Sequence, residues 1–346
     1  MSNNDGVTAR LKAIAPCAYS LAPPILMSIE KGIFWEYDMN KTLNILITAG
    51  GTSEKIDDVR RITNSGTGRL GACIAEAFAA SGRECRIVYI CSAGAVRPRC
   101  AVPEEAKAGN TAVPIEVQAG NTAVHGEAQA GNTAGPVEAQ AGNAAVSIDV
   151  RIADDVAAVE SAVVGACAET AFDAIVHSMA ISDYRVKAVS DASLMAGAVL
   201  ERLSVLACGD SASPDEAVLE ALLSPPELIG DRGASKISSD RENLVVVLEK
   251  APKIIALLRG LAPNAVIVGF KLLSNADEKE LVQAGHSLLV KNDCDYVLAN
   301  DMRTVRADSQ YGASLHEGLL VAKDGTYERA TGKEAIAALI LRRILE

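Results

Sequence analysis

Residues 48–71, TAGGTSEKIDDVRRITNSGTGRLG, concentrate the residue types that handle an anion. Gly50 and Gly51 follow an apolar run, and glycine admits a ligand to backbone that a Cβ would shield. Ser65, Gly66, Thr67 and Gly68 precede a segment of helical spacing, so free N–H groups and a positive helix end would face a negative group. Arg60 and Arg61 add guanidinium charge suited to phosphate. The string is neither a GxxxxGK[ST] loop nor a clean GxGxxG fingerprint. Ordinary turns between strand and helix would use the same glycines, so spacing alone leaves both readings open.

Three further stretches carry candidate groups. HSMAISDY, residues 177–184, lies just past a predicted strand end, where open α/β sheets hold their ligands. Asp183 there suits a ribose or base hydroxyl, or simply caps a turn. His177 alternates with apolar residues and reads as a packed structural histidine. Lys236, in ASKISS at 234–239, closes a long segment, as a functional lysine on a lid or as a solvated charge. Phe270 and Lys271 end another predicted strand, with Lys291, Asn292 and the run Ala299–Asp301 further on.

The elements between these stretches must bring them together. Apolar runs predict strands at Leu43–Thr48, Cys85–Cys91, Asp173–His177, Leu244–Leu248, Ala265–Phe270 and Asp295–Ala299. Helical spacing predicts helices over Gly68–Ala80, about Asp154–Glu169, from Pro252, about Asp277–Lys291 and from Lys333. A hairpin-like segment falls near Leu319–Lys323. Residues 186–235 read as irregular, with one short helix near Pro214–Leu223. Alternation of this kind predicts an α/β fold, a doubly wound Rossmann-like parallel sheet with helices on both faces.

Residues 108–118, 119–129, 130–140 and 141–151 read AGNTAVPIEVQ, AGNTAVHGEAQ, AGNTAGPVEAQ and AGNAAVSIDVR, an eleven-residue tandem repeat. Gly-Asn in every unit, with Pro114 and Pro136, opposes a helix. A solvated low-complexity loop is preferred over a small β-solenoid. The organisation expected is therefore an N-terminal extension at 1–40, with Met39 as an alternative start, and one domain at 41–346. Residues 101–147 are a disordered repeat insertion, and 186–235 a lid and dimerisation segment.

The 346 residues carry 44 Asp+Glu against 33 Lys+Arg, a formal net charge of −11, which disfavours non-specific nucleic-acid binding. Aromatic residues make up only 3%, so the core must be aliphatic. The eight cysteines form no CxxC pair or Cys/His cluster, consistent with a reducing, cytoplasmic setting and no zinc. The apolar stretch 10–28 is interrupted by Pro16, Pro23 and Pro24 and predicts neither a signal sequence nor a membrane span.

Taken in order, ILITAGGTSEKIDDVRRITNSGTGRLG, HSMAISDY, SKISS, APKII, GFKLL and VKNDCDYVLAND resemble the phosphopantothenate–cysteine ligase (phosphopantothenoylcysteine synthetase) family in its stand-alone bacterial form. The resemblance runs from about Leu43 to the C-terminus, excluding the repeat and much of 186–235. It implies joining of 4′-phosphopantothenate to L-cysteine through an acyl-nucleotide, with CTP as co-substrate (an ATP-dependent form of the same ligase, which shares the motifs, being the alternative), Mg²⁺ as cofactor, and a homodimer as working unit. By the same resemblance Asn64, Arg60 and Lys236 are catalytic. Gly50, Gly51, Ser65, Gly66, Ala180, Asp183, Lys236, Ala251, Pro252, Lys253, Ile254, Phe270 and Lys291 bind the nucleotide. Two departures stand out: Ser287 occupies a position where many relatives carry lysine, and Met179 replaces a small residue. A nicotinamide-dependent oxidoreductase would need an acid at the end of the second strand, and Tyr89-Ile90-Cys91-Ser92 offers none. A catalytically retired nucleotide-binding protein is the other alternative, against which Asn64, Arg60 and Lys236 argue.

Overall fold

In the computed structural model, LNILITA forms strand β1 (Leu43–Ala49), in which every residue but Asn44 is buried. Such a continuous apolar run suits a parallel strand covered on both faces. Ile45 and Ile47 point into one core and Leu46 into the other. The structure describes residues 41–101, 137–141, 144–207, 213–228, 236–238, 240, 242–311 and 315–346.

Around β1 are assembled β4 (Cys85–Cys91), β5 (Val137–Ala141), β6 (Ala144–Ile152), β7 (Ala174–His177), β10 (Val266–Leu273), β11 (Tyr296–Asp301), β12 (Glu317–Ala322) and β13 (Tyr327–Thr331). They form a nine-stranded sheet in the order β13-β12-β11-β10-β7-β1-β4-β6-β5. The strands from β6 to β11 in that order are all parallel, and β5, β12 and β13 add antiparallel edges. From β1 the chain winds outward to β4 and β6, then returns to β7 on the other side. Strand order therefore reverses between β1 and β7, and the carboxyl ends of strands at such a reversal are where open α/β sheets hold their ligands.

Helices cover both faces, as the sequence predicts. On one, α1 (Arg69–Ala79) packs beside α8 (Lys333–Leu345), burying Ile74, Phe78, Ile336 and Ile340. On the other lie α2 (Val156–Glu169), α5 (Ile255–Leu261) and α6 (Glu278–Asn292), through Val159, Val163, Leu258 and Leu289. The helix α7 (Met302–Tyr311) follows β11 and was not expected from spacing. No helix among the described residues is long and apolar enough to cross a membrane.

Three expectations need correction. Residues 186–235 are less irregular than expected where described: the predicted short helix is present as α4 (Pro214–Leu223), and β8 (Tyr184–Asp191) leading into α3 (Ala192–Ala207) adds order that the pattern does not predict. Nearly uniform Ala, Leu and Val content hides an amphipathic period in α3, and no residue of it is buried. Second, β9 (Leu244–Lys250) is not a strand of the parallel sheet; it pairs antiparallel with β8 in a separate ribbon. A short Val/Leu run fits a half-covered ribbon as well as a buried strand. Third, the insertion does not run to 147 as a loop. The last repeat unit supplies β6, with Val146 and Ile148 buried against β4, and the end of the preceding unit supplies β5. Its period-2 apolar alternation outweighs its low complexity. The rest of the repeat, 102–136, and residues 1–40 lie outside the described residues.

Candidate nucleotide site at the carboxyl ends of β1 and β7

Past β1 the chain continues as a narrow ladder. Gly51 bridges Ala180, the Ala180 N–H donates to the Gly50 carbonyl at 2.8 Å, and the Thr52 N–H donates to the Ala180 carbonyl at 3.1 Å. On its other side the Asn64 N–H donates to the Thr52 carbonyl at 2.9 Å. The Asn64 Nδ2 reaches across to the Ala180 carbonyl at 3.2 Å. Gly50, Gly51, Asn64, Gly66 and Ala180 thus share one hydrogen-bonded corner, with Ser65 exposed between them. A Cβ on Gly66 would stand 2.4 Å from the Gly50 carbonyl oxygen, so glycine there is set by close approach of two loops.

A buried polar staple fixes the strand ends beneath this corner. The Thr48 hydroxyl bonds His177 Nδ1 at 2.9 Å and accepts the Met179 N–H at 3.3 Å. Ser178 Oγ donates to the Thr48 carbonyl at 2.6 Å. Burial pushes the His177 pKa down to about 4, so it is neutral near pH 7 and structural, as its alternation predicts. Helix α1 begins at Gly68, in left-handed backbone at φ 74°, with no side-chain cap. Its positive end is left open toward the corner. The Val96 N–H donates to the Thr67 carbonyl at 3.0 Å, which ties a third loop to the same place.

Asp183 and Lys253 form an ion pair, and the Ala251 N–H donates to the Asp183 carbonyl at 2.9 Å. Ala251 and Ile254 are buried in the α2/α5 core, with Pro252 half-buried and Lys253 exposed between them. Phe270 lies on β10 beyond the end of its pairing with β7, half-buried, on the same edge of the sheet. Lys291 is placed elsewhere. It stands in the last turn of α6, beside the amino ends of β10 and β11, where the Ile267 N–H donates to Asp295 Oδ2 at 2.8 Å. A helix crossing back between parallel strands runs from the carboxyl edge to the amino edge, and fifteen residues span about 22 Å. The fold of one chain therefore does not bring Lys291 to the corner. Ser287, one turn earlier, donates to the Gln283 carbonyl, so the missing lysine there is no loss to this corner.

Arg60 lies four residues before Asn64, in a turn beyond the corner, and its guanidinium is engaged by Asp57 and the Ile237 carbonyl. Lys236 is exposed next to Ile237 and bonds to no described residue. Asp57 carried no signal beyond its three-residue spacing from Arg60, and sequence reasoning passed it over. Among the described residues no cluster of three or more His, Cys, Asp or Glu suits a metal. Glu54 accepts the Val156 N–H, and Asp57 and Asp183 are paired, so protein carboxylates here do not form a Mg²⁺ cage.

Residues 40–106 and 230–346 match the family described as DNA/pantothenate metabolism flavoprotein C-terminal domain. The chain belongs to this family. A coenzyme A biosynthesis bifunctional protein, CoaBC, of Thermococcus kodakarensis is 24% identical over 280 residues, 81% of this chain and 45% of that protein. Its counterpart in Methanocaldococcus jannaschii is 29% identical over 109 residues, 32% of this chain and 26% of that protein. The chain thus spans less than half the length of these curated relatives. The crystal structure of a DNA/pantothenate metabolism flavoprotein from Streptococcus pneumoniae superposes with a TM-score of 0.55 at 26% identity, covering 88% of this chain and 98% of that one. A Cab2 mutant in complex with phosphopantothenate-cysteine shares the fold, at TM-score 0.52 and 16% identity, over 88% of this chain and 85% of that one. The family's two matched blocks include Gly50–Gly66, Lys236, the Ala251–Ile254 segment and Phe270, while Ala180 and Asp183 lie between the blocks.

Proposed function

We propose that this chain is a phosphopantothenate–cysteine ligase acting in coenzyme A biosynthesis, with CTP as nucleotide. The observation that carries the reading is the corner itself: Asn64 and Ala180 held together over the open end of α1, at the strand-order reversal, in a chain of this family. The carboxylate of 4′-phosphopantothenate attacks the α-phosphorus, an O–P bond forms and pyrophosphate leaves. The cysteine amine then attacks the acyl carbon, the C–O bond to phosphate breaks, CMP leaves, and the amine gives up its proton as the amide forms.

Each step asks for donors where charge develops. The α1 N-terminus and the glycine backbone suit phosphate oxygens. The second N–H of the Asn64 amide remains available for the acyl-phosphate. The Asp183 carboxylate suits the ribose, with Ala251–Ile254 and Phe270 flanking the base. Mg²⁺ would arrive on the triphosphate oxygens rather than on a protein cage, as is usual for this ion. Incubation with phosphopantothenate, cysteine and either CTP or ATP, scored by CMP or AMP release, tests the reading. Release of neither sinks it, and AMP alone corrects the nucleotide.

Lys236 has the role of assisting capture by cysteine. Lys236→Gln is therefore expected to accumulate the acyl-nucleotide while slowing amide formation at least tenfold, read by single-turnover assay. Equal loss of both half reactions would refute that division.

The working unit is proposed to be a cytoplasmic homodimer. Helix α3 has no buried residue, and Leu200, Val205 and, on α4, Leu219 are 68%, 49% and 55% exposed. Apolar surface on this scale commonly meets a partner, and a second copy would cover it isologously. Leu200→Asp is expected to yield monomers by light scattering with reduced activity at low protein concentration. A wild-type chain that is monomeric and fully active would overturn the dimer.

A further inference from the structure

Asp57 sits at the tip of the hairpin formed by β2 (Ser53–Lys55) and β3 (Arg61–Thr63), yet its side chain is 0% exposed. Its two oxygens have different tasks. Oδ1 accepts the N–H groups of Val59 and Arg60 at 2.9 and 2.7 Å and so makes the turn. Oδ2 accepts the Arg60 guanidinium at Nε and Nη2, 2.9 and 2.8 Å, and the Ile237 N–H at 3.2 Å. Arg60 Nη2 also donates to the Ile237 carbonyl at 2.7 Å. Both backbone groups of Ile237, a residue 180 positions later, are thereby gripped by one ion pair whose carboxylate is buried and whose guanidinium is partly exposed. The Ile237 side chain is itself buried, and Lys236 is the next residue.

We propose that Asp57 is a positioning residue which, with Arg60 as its arm, pins the backbone at Ile237 and sets where the Lys236 ammonium stands relative to Asn64. The hairpin is the ruler. It leaves the corner through the Thr52–Asn64 hydrogen bond, and the three-residue strand β2, roughly 7 Å from Ser53 to Lys55, carries the chain to the turn at Asp57. A lysine side chain rooted at the tip can swing back toward the corner, but only from a fixed root. Arg60 commits Nε and Nη2 to this grip. Burial alone would raise the Asp57 pKa, but the N–H groups of Val59, Arg60 and Ile237 and the guanidinium outweigh it and hold it at about 2. The grip therefore stays closed through the neutral range.

The role of Lys236 rests on the ligase reading; the grip on Ile237 does not. Asp57→Asn separates the two tasks of the carboxylate. The amide oxygen keeps the turn, while its NH₂ would face the Arg60 and Ile237 donors and release them. The expected result is acyl-nucleotide formation within about threefold of wild type and cysteine capture slowed about 10- to 100-fold, the range for a misplaced catalytic group. Adding Lys236→Gln to Asp57→Asn should cost little more, because both act on one group. In hydrogen exchange the Ile237 amide should lose protection while the Val59 and Arg60 amides keep theirs. Arg60→Lys, which retains a charge against Asp57 but lacks the fork, should likewise lose Ile237 protection in hydrogen exchange and serves if Asp57→Asn fails to fold. Equal slowing of both half reactions, or fully additive losses in the double variant, would overturn the positioning role. If wild type forms no acyl-nucleotide from CTP or ATP, the ligase reading fails instead; the exchange result then judges the grip alone, and unchanged Ile237 protection overturns it.

Discussion

Gly51→Ala is expected to lower acyl-nucleotide formation by at least about 100-fold and to destabilise the fold by about 1–3 kcal/mol. A Cβ at this position would lie 2.1 Å from the Asn64 carbonyl oxygen and 2.9 Å from both the Asn64 carbonyl carbon and the Gly66 nitrogen. All three are backbone atoms, so no side chain can turn away. The Asn64 carbonyl is already accepting the Gly66 N–H at 2.9 Å, and the Asn64 N–H is committed to Thr52. Relief therefore requires the Asn64–Gly66 loop to move by close to an ångström, which pulls the Asn64 amide off Ala180. Gly165→Ala, in α2 with nothing within 4 Å of the new Cβ, is the control and should stabilise by about 1 kcal/mol. Single-turnover assays and thermal melts of the two variants read the contrast. A Gly51→Ala enzyme within tenfold of wild type would remove this corner from the reaction.

Stability is expected to fall in two acid steps. Burial pushes the His177 pKa to about 4; burial also lowers that of His316 to about 4, with the Lys333 charge adding and Asp308 opposing. An unfolded histidine titrates near 6.5, so between about pH 6.5 and 4 the unfolded chain binds more protons than the native one. Lower pH thus favours unfolding across that window, by about 3 kcal/mol for each histidine when complete. Asp57 acts in a lower window. Its native pKa of about 2 lies below its ordinary 3.8, so its stabilisation is intact above 3.8 and lost as pH falls through about 2. That step is worth about 2 kcal/mol. Urea unfolding at a series of pH values measures both. His316→Gln can still accept from Asn300 Nδ2, which His316 Nε2 meets at 2.8 Å, and does not titrate, so it should roughly halve the upper step, leaving the His177 share, and keep the lower one. An unfolding free energy that is constant from pH 7 to 4 would show that neither histidine is buried neutral.

Much of the fold was legible because local pattern carries it. β1 announces itself by an unbroken apolar run ending in Gly50 and Gly51, and α1 by small and apolar residues at helical spacing closed near Gly82. The capping box of Asp277 and Glu280 places the start of α6 within a residue of its expected position. The corner was legible for the same reason, since its glycines and Asn64 lie within seventeen residues of one another along the chain. His177 read correctly as packed, because its neighbours on the strand are apolar and its partner, Thr48, ends the adjacent strand.

By itself, then, the sequence determined most of the segments that extend or coil around β1, though not β8, α3 or α7, and that glycine-rich backbone meets a helix start after the first strand. Each of these is written in residues a few positions apart, where period, capping and turn chemistry act. Only the tertiary structure decided which segments meet. The Val/Leu run of β9 pairs with β8 outside the main sheet, and the last repeat unit, not β9, becomes the sixth parallel strand. Lys291 ends at the amino edge of the sheet because a crossover helix must run back against its strands. Asp57 spends one oxygen on its own turn and the other on Ile237, 180 residues away. No local period encodes such a pairing; it follows from the burial of Asp57 and Ile237 against one another, where a carboxylate must be satisfied by donors once water is excluded.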